Sequence, residues 1–312
     1  MKKLLFAAQF ILFISFNFFL YLTIVEVTGS RSPFVKYDYE IPIYNGREDF
    51  DPSLSRLTSV SDLEAYCDSI FKEKSSSDKS FTFQEHYPGL ASSVVRKKFF
   101  HGYSSYGFSD NYMALMLEPL ITRKWISAIV IPDDIMKHPY AACSQQSIVM
   151  MELMKRKGFT TRRVGFNGGK KFGGHFSFEV YYANGWHFFD PNQEPDRNIL
   201  PEYNRPSIEY LAKNEAILVA AYKHWDPAKV HAVLTNYSYG KPNRFEAPNA
   251  LIYQKVTKFL SYSLWLFLLT AFLVVRRRYL RLITHNNVRN SRVSVPTIAG
   301  EGSVSYYTKT RA

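Results

Sequence analysis

Cysteine is almost missing from this chain: Cys67 and Cys143 are the only two among 312 residues. A multi-bridge framework is therefore excluded; the two could pair in an oxidising compartment, but one bridge is a thin staple for so long a chain. No Cys-x-x-Cys pair and no cluster of histidines occurs, so a zinc site lacks its donors. The glycine-rich stretch 167–174 lacks the Gly-Lys-Ser/Thr ending that a phosphate loop needs. The net charge of +12 is also less than it looks. Eight Lys or Arg against one Glu fall in 276–312, and Lys2 and Lys3 add to them, which leaves +3 for everything between. A charge held at the ends fits anionic lipid and topology, and we assign no nucleic-acid role.

What the chain does have is two long apolar runs. The first, 4–25, follows Lys2 and Lys3 and contains only Gln9, Ser15, Asn17 and Thr23 as polar residues. It is long enough to span a bilayer, too long for a signal-peptide core, and lacks an Ala-x-Ala cleavage site, which favours an uncleaved anchor. The second, 259–275, is followed at once by Arg276, Arg277, Arg278 and Arg281. Basic residues at both membrane edges predict that both termini are cytoplasmic and that the middle lies outside, in a periplasmic or extracellular space. The expected organisation is an anchor over 1–27, an extended lead-in over 28–60 and an external domain over 61–256. A second membrane helix over 257–276 and a basic, disordered tail over 277–312 complete it.

Within the domain, "SDLEAYCDSIFKE" from Ser61 has a helix cap and an apolar stripe of Leu63, Tyr66, Ile70 and Phe71. Cys67 lies on that stripe and reads as a core residue. "SDNYMALMLEPL" predicts a helix broken at Pro119. After Cys143 the pattern is again helical, with Ile148, Met151 and Met154 or Lys155 at spacings of three and four and Gly158 as a stop. "TTRRVGF" reads as a strand and "NGGKKFGG" as a flexible loop. "HFSFEVYYANGWHFFDPNQEP", with Asn184-Gly185 at its centre, reads as a hairpin.

Cys143 has two readings, a small core residue or a reactive thiol. A helix N-terminus favours an anion there, and the thiolate is the reactive form. The hairpin opens on His175 and closes on Asp190, fifteen residues on. Cysteine, histidine and acid are the parts of a thiol triad: nucleophile, proton carrier and orienting carboxylate. Strand parity agrees if the loop is a four-residue one over 182–185. Ser177 then opposes Asp190, and His175 lies diagonal to it on the same face. An Asn184-Gly185 two-residue turn would oppose Glu179 instead and leave His175 too far away. Glu179 and Trp186 read as structural, as do His138 and His187 if they are not solvated. Tyr140, Trp125 and Gln145 are candidate oxyanion helpers beside the backbone N–H of Cys143. Asn236-Tyr-Ser is a glycosylation triplet in a eukaryotic secretory path.

The order of Cys143 with its helix, "KRKGFTTRRVGF", then "HFSFEVYYANGWHFFDP" resembles the core of the transglutaminase-like superfamily over about 140–195. The resemblance implies an α+β, papain-like fold with the cysteine helix on a small antiparallel sheet. It also implies Cys143 as nucleophile, His175 as base and acid, and Asp190 as orienting acid. The expected activity is membrane-anchored acyl transfer at an amide, to water as in a protease or amidase, or to an amine as in crosslinking. The substrate would be a protein, peptide or glycopeptide, and the chemistry needs no metal or organic cofactor. The alternative within the same fold is an inactive scaffold that binds peptide or glycan in an envelope assembly. The glycine-rich approach "KKFGGH" departs from the family pattern.

The topology is checked by reporter fusions. One placed after Thr28 should report an external location and one after Arg281 a cytoplasmic one. A mature chain beginning near residue 30 would remove the first anchor and with it the two-pass arrangement.

Overall fold

In the computed structural model, residues 2–30, 34, 40–46, 48–120, 128–193 and 198–293 are described, with backbone only for 286–293. Trp125, nine residues of the lead-in (31–33, 35–39 and 47) and residues 294–312 lie outside them. The helices are α1 (Lys2–Thr28), α2 (Val60–Ser77), α3 (Phe83–Lys98), α4 (Phe108–Leu117), α5 (Pro132–Met136) and α6 (Cys143–Arg156). Strand β1 (Thr160–Asn167), the one-turn α7 (Gly169–Phe172), β2 (Gly174–Tyr182) and β3 (Gly185–Phe189) follow. Then come α8 (Ile199–Glu202), α9 (Ile208–Lys213), α10 (Glu215–Ala221), α11 (Pro227–Leu234), β4 (Tyr237–Tyr239) and α12 (Pro248–Val293).

The chain divides into two compact units, 1–24 with 260–312, and 25–259. In the first, α1 and the later part of α12 run antiparallel. Phe6 meets Tyr279 and Phe13 meets Phe272 at ring distances of 6.1 and 5.7 Å, and the Thr23 hydroxyl donates to the Ser261 carbonyl at 2.7 Å. Both helices are long and apolar enough to cross a membrane. Leu4, Phe6, Ile11 and Phe267 point outward, a surface that water penalises and lipid accepts. The second helix is longer than the apolar run that predicted it: it begins at Pro248 and continues to Val293, past the point where disorder was expected.

The second unit is α+β. Its sheet is antiparallel, in the order β3-β2-β1-β4. Side chains alternate faces, so β2 sends Phe178 and Val180 into one core and His175 and Glu179 toward the other. The first core joins Phe178, Val180 and Phe189 to α2, α3, α5 and α6, and Cys67 is buried in it. The second covers Val164, Phe166 and Phe188 with Leu200, Leu211, Leu218 and Val233 from α8 to α11. Cys67 and Cys143 are unpaired, and Cys67 is a core residue whose thiol burial pushes up to about 12.

Several local expectations shift. Helix α2 is capped two residues earlier than read: the Ser59 hydroxyl accepts from Asp62 N while the Asp62 carboxylate accepts from Ser59 N, at 3.0 and 2.9 Å. Glycine-rich 167–174 is not all loop, because Gly169–Phe172 closes a turn of helix. Helix α3 was hidden by Pro88 within it, a residue that forfeits a backbone bond and is held here by burial.

Irregular backbone in this unit is satisfied by buried amides. Gln254, fully buried on α12, accepts from Val130 N at 2.9 Å and donates to Ala128 O at 2.7 Å. Replacing Gln254 by Leu strands both groups, a loss of about 2–4 kcal/mol. The measurement is the denaturant midpoint of the detergent-solubilised chain. A midpoint equal to wild type would show that the amide is dispensable.

Candidate active site

Cys143 occupies the first helical position of α6, after Ala142 in extended conformation. Its approach is fixed on both sides. Phe100 N donates to Pro139 O and Ala141 N to Phe100 O, each at 3.1 Å. The buried Gln145 amide does the rest. Its oxygen accepts from Ala142 N and Ser104 N at 3.1 and 3.0 Å, and its nitrogen donates to Ser104 O and Ile129 O at 2.8 and 2.9 Å. Two acceptor and two donor positions are thus filled, which removes Gln145 as an oxyanion donor and makes it the clamp on the cysteine turn. Cys143 itself is half-buried, and the first-turn N–H groups of α6 have no partner within the helix.

The hairpin places the other two residues. Tyr182 pairs with Gly185, and the turn is Ala183-Asn184, both at positive φ of 43° and 60°. The register is the expected one, but the loop is two residues rather than the four over 182–185, because Tyr182 and Gly185 still pair and the turn between them is of the type that matches strand twist. Phe178 opposes Phe189, so the register extended by one residue sets Ser177 opposite Asp190, just beyond β3. His175 lies on the same face, and its Nε2 meets Asp190 Oδ2 at 2.7 Å.

Asp190 is fully buried and has three donors: His175, the Tyr222 hydroxyl to Oδ2 at 2.8 Å, and Gln193 N to Oδ1 at 3.1 Å. Burial alone would raise its pKa, but His175 and the two further donors outweigh burial and hold the carboxyl below its ordinary range. Burial likewise opposes charge on His175. The Asp190 carboxylate, with the hydrogen bond and charge of Cys143, reverses that and raises the imidazole to about 10. The cysteine thus lies close enough to act on the ring, and with Nε2 committed to Asp190 the free ring nitrogen is Nδ1. Phe166 stacks on the imidazole at 5.7 Å and Trp225 meets it edge-on at 5.7 Å, so the ring is fixed from two sides.

The structure therefore brings Cys143, His175 and Asp190 to one place. Tyr222, Gln193 and Trp225 were not read from the sequence, since nothing marks a tyrosine 32 residues beyond an aspartate as its partner. Tyr103 also went unread. Its side chain is 61% exposed, yet desolvation and the charge of Cys143 raise its phenol. Tyr140 is buried against Phe100 and His138. Glu179 and Trp186 are structural: the buried Glu179 carboxylate binds the Arg162 guanidinium at 2.6 Å, and that guanidinium lies between the Trp186 and Tyr239 rings. His187 is buried among backbone carbonyls. Asn236 is exposed, with its amide donating to Asn167 O at 2.8 Å. Among the described residues no group of three or more His, Cys, Asp or Glu could hold a metal ion. No family model matches the chain, and neither the curated proteins nor the solved structures compared with it gave a match.

The pair sets a pH dependence whose sign follows from its shifts. His175 titrates higher folded than unfolded. Its contribution is complete below about 6.5 and is lost as the pH climbs toward 10. Asp190 titrates lower folded, so its contribution is present above about 3.9 and is lost as the pH falls through the folded value. Between pH 7 and 10 the stability of wild type should therefore decline more steeply than that of His175→Gln, by urea unfolding. Parallel profiles would mean that the imidazole carries no raised affinity for its proton.

Proposed function

We propose that this is a membrane-anchored thiol enzyme of the transglutaminase-like kind, acting by acyl transfer at amide bonds of a protein, peptide or glycopeptide. The observation that carries the reading is the buried His175–Asp190 pair at 2.7 Å beside a cysteine on the first turn of a helix. The helix of Cys143 packed on an antiparallel sheet supports the same family reading.

The chemistry follows from the groups in place. Cys143 Sγ, as thiolate, attacks the amide carbonyl carbon, and the oxygen gains the charge of the broken π bond. First-turn N–H groups of α6, that of Cys143 among them, stabilise that oxyanion. The tetrahedral species collapses as the C–N bond breaks, and His175 Nδ1 gives its proton to the departing amine. A thioester on Cys143 remains. Water or an amine then attacks it, Nδ1 takes the proton, and the thiolate leaves with its electron pair. Asp190 holds the ring orientation and offsets its charge throughout. With both basic ends cytoplasmic, the chain is a two-pass membrane protein whose site faces a periplasmic or extracellular substrate.

Thiol labelling tests this. At pH 6 iodoacetamide should modify Cys143 in the folded chain at least tenfold faster than a model thiol, which titrates near about 8.5. Buried Cys67 should not react. His175→Ala should slow the labelling of Cys143, and Cys143→Ser should abolish it. A Cys143 that reacts like a model thiol, unchanged by His175→Ala, would leave an inactive peptide- or glycan-binding scaffold as the function.

A further inference from the structure

A cavity of about 410 Å³ lies apart from the triad, between the end of α2, the outer face of α3 and the turn after α8. Its chemistry is uneven. Lys74, His86 and Arg205 face it, against one carboxylate, Glu85, which accepts from the Thr82 hydroxyl at 3.2 Å. Phe81 and Tyr182 supply aromatic walls. Phe81 lies 4.4 Å from the His86 ring, and the Lys74 ammonium is 5.7 Å from the Phe81 ring. On the α3 side the wall is low, because Gly89 and Ser93 stand one turn apart there.

The basic side of the cavity is built rather than incidental. Asn204 and Arg205 both adopt positive φ, 56° and 44°, a conformation that costs a non-glycine residue energy and is found at ligand clamps. Arg205 N donates to Leu200 O at 2.7 Å, which closes the turn. Beneath it the His187 ring lies within 3.1 Å of the carbonyls of Asn204, Arg205 and Tyr182, so one buried side chain ties the turn to the hairpin wall. The Arg205 guanidinium is held against the Phe189 ring at 4.8 Å and passes beside Gly89. A fixed guanidinium, a nearby ammonium and two aromatic faces in a cleft of ligand size match an anion carried on a flat apolar body.

We propose that this cavity is a second binding site, for a small organic oxyanion: a phosphate monoester or carboxylate attached to an aromatic or comparable apolar group. It is independent of the thiol chemistry, and its test needs no turnover. Phenyl phosphate, benzoate, inorganic phosphate and phenol are titrated onto the detergent-solubilised full chain by calorimetry. One or both of the first two should bind at least tenfold more tightly than inorganic phosphate and phenol, and which of them is tighter identifies the anion. Lys74→Gln, an exposed change, should weaken binding about threefold, and Arg205→Gln about tenfold or more. Gly89→Leu supplies a variant that keeps the fold. A Cβ there meets nothing nearer than the Arg205 side chain at 3.7 Å, and leucine favours the helix while filling the cavity. It should abolish binding and leave thermal stability at or above wild type. Organic anions that bind no better than phenol, or binding that survives Gly89→Leu, would overturn the site.

Discussion

A carboxylate removed from water is costly unless its lone pairs are met, and Asp190 imposes that constraint on much of the second unit. Its three donors come from separate elements: the start of β2, the chain just past β3, and the end of α10, where Tyr222 closes the helix. The register of the hairpin, the packing of the short helices on the outer face of the sheet and the turn after Asp190 must all be right together. The imidazole that results is charged, oriented and screened by Phe166 and Trp225. Cys143, half-buried, is less enclosed than either His175 or Asp190.

The parts of the site that follow local rules were readable. Period-two alternation and an Asn-Gly signal put His175 and Asp190 on one face, and a small residue before a helical pattern singled out Cys143. The buried Cys67 was readable for the same reason, whereas the α+β class was what the family resemblance implied. The reach of His175 to Asp190 selected the correct register, although it did not reveal that the loop would be two residues, with Ala183 in a left-handed conformation to close it. Residues whose roles depend on distant backbone were not readable. Gln145 has the polarity of an oxyanion donor, but its amide is spent on Ser104 and Ile129, which no spacing rule connects to it. Tyr222 gave no signal at all. Helix α3 was obscured because Pro88 and Gly89 are punctuation by local rules, and only burial against α2 and α6 overrides them.

A common device holds the irregular segments. Residues 100–106 and 128–130 lack a full strand ladder, so their N–H and C=O groups require partners from elsewhere. Gln145 supplies them from the cysteine helix and Gln254 from α12, both fully inside. Glu179 does the same on the opposite face, accepting from Ile208 N at 2.7 Å while it binds Arg162. Each of these polar side chains is a specificity element, because a hydrophobic replacement fills the space and leaves the backbone unanswered.

The two-residue turn also governs the order in which the site is assembled. His175 and Asp190 are joined by a tight hairpin, a unit that forms within roughly 1–10 μs, whereas Cys143 must be brought in by packing α6 on the sheet. Short-range closure precedes long-range closure, so His175 and Asp190 meet before Cys143 reaches them. A chain whose hairpin has closed but whose α6 has not docked would therefore hold the His175–Asp190 pair without its cysteine. Contact between thiol and imidazole arrives only with the docking of α6 on the sheet, so the two halves of the site are made by events of different range.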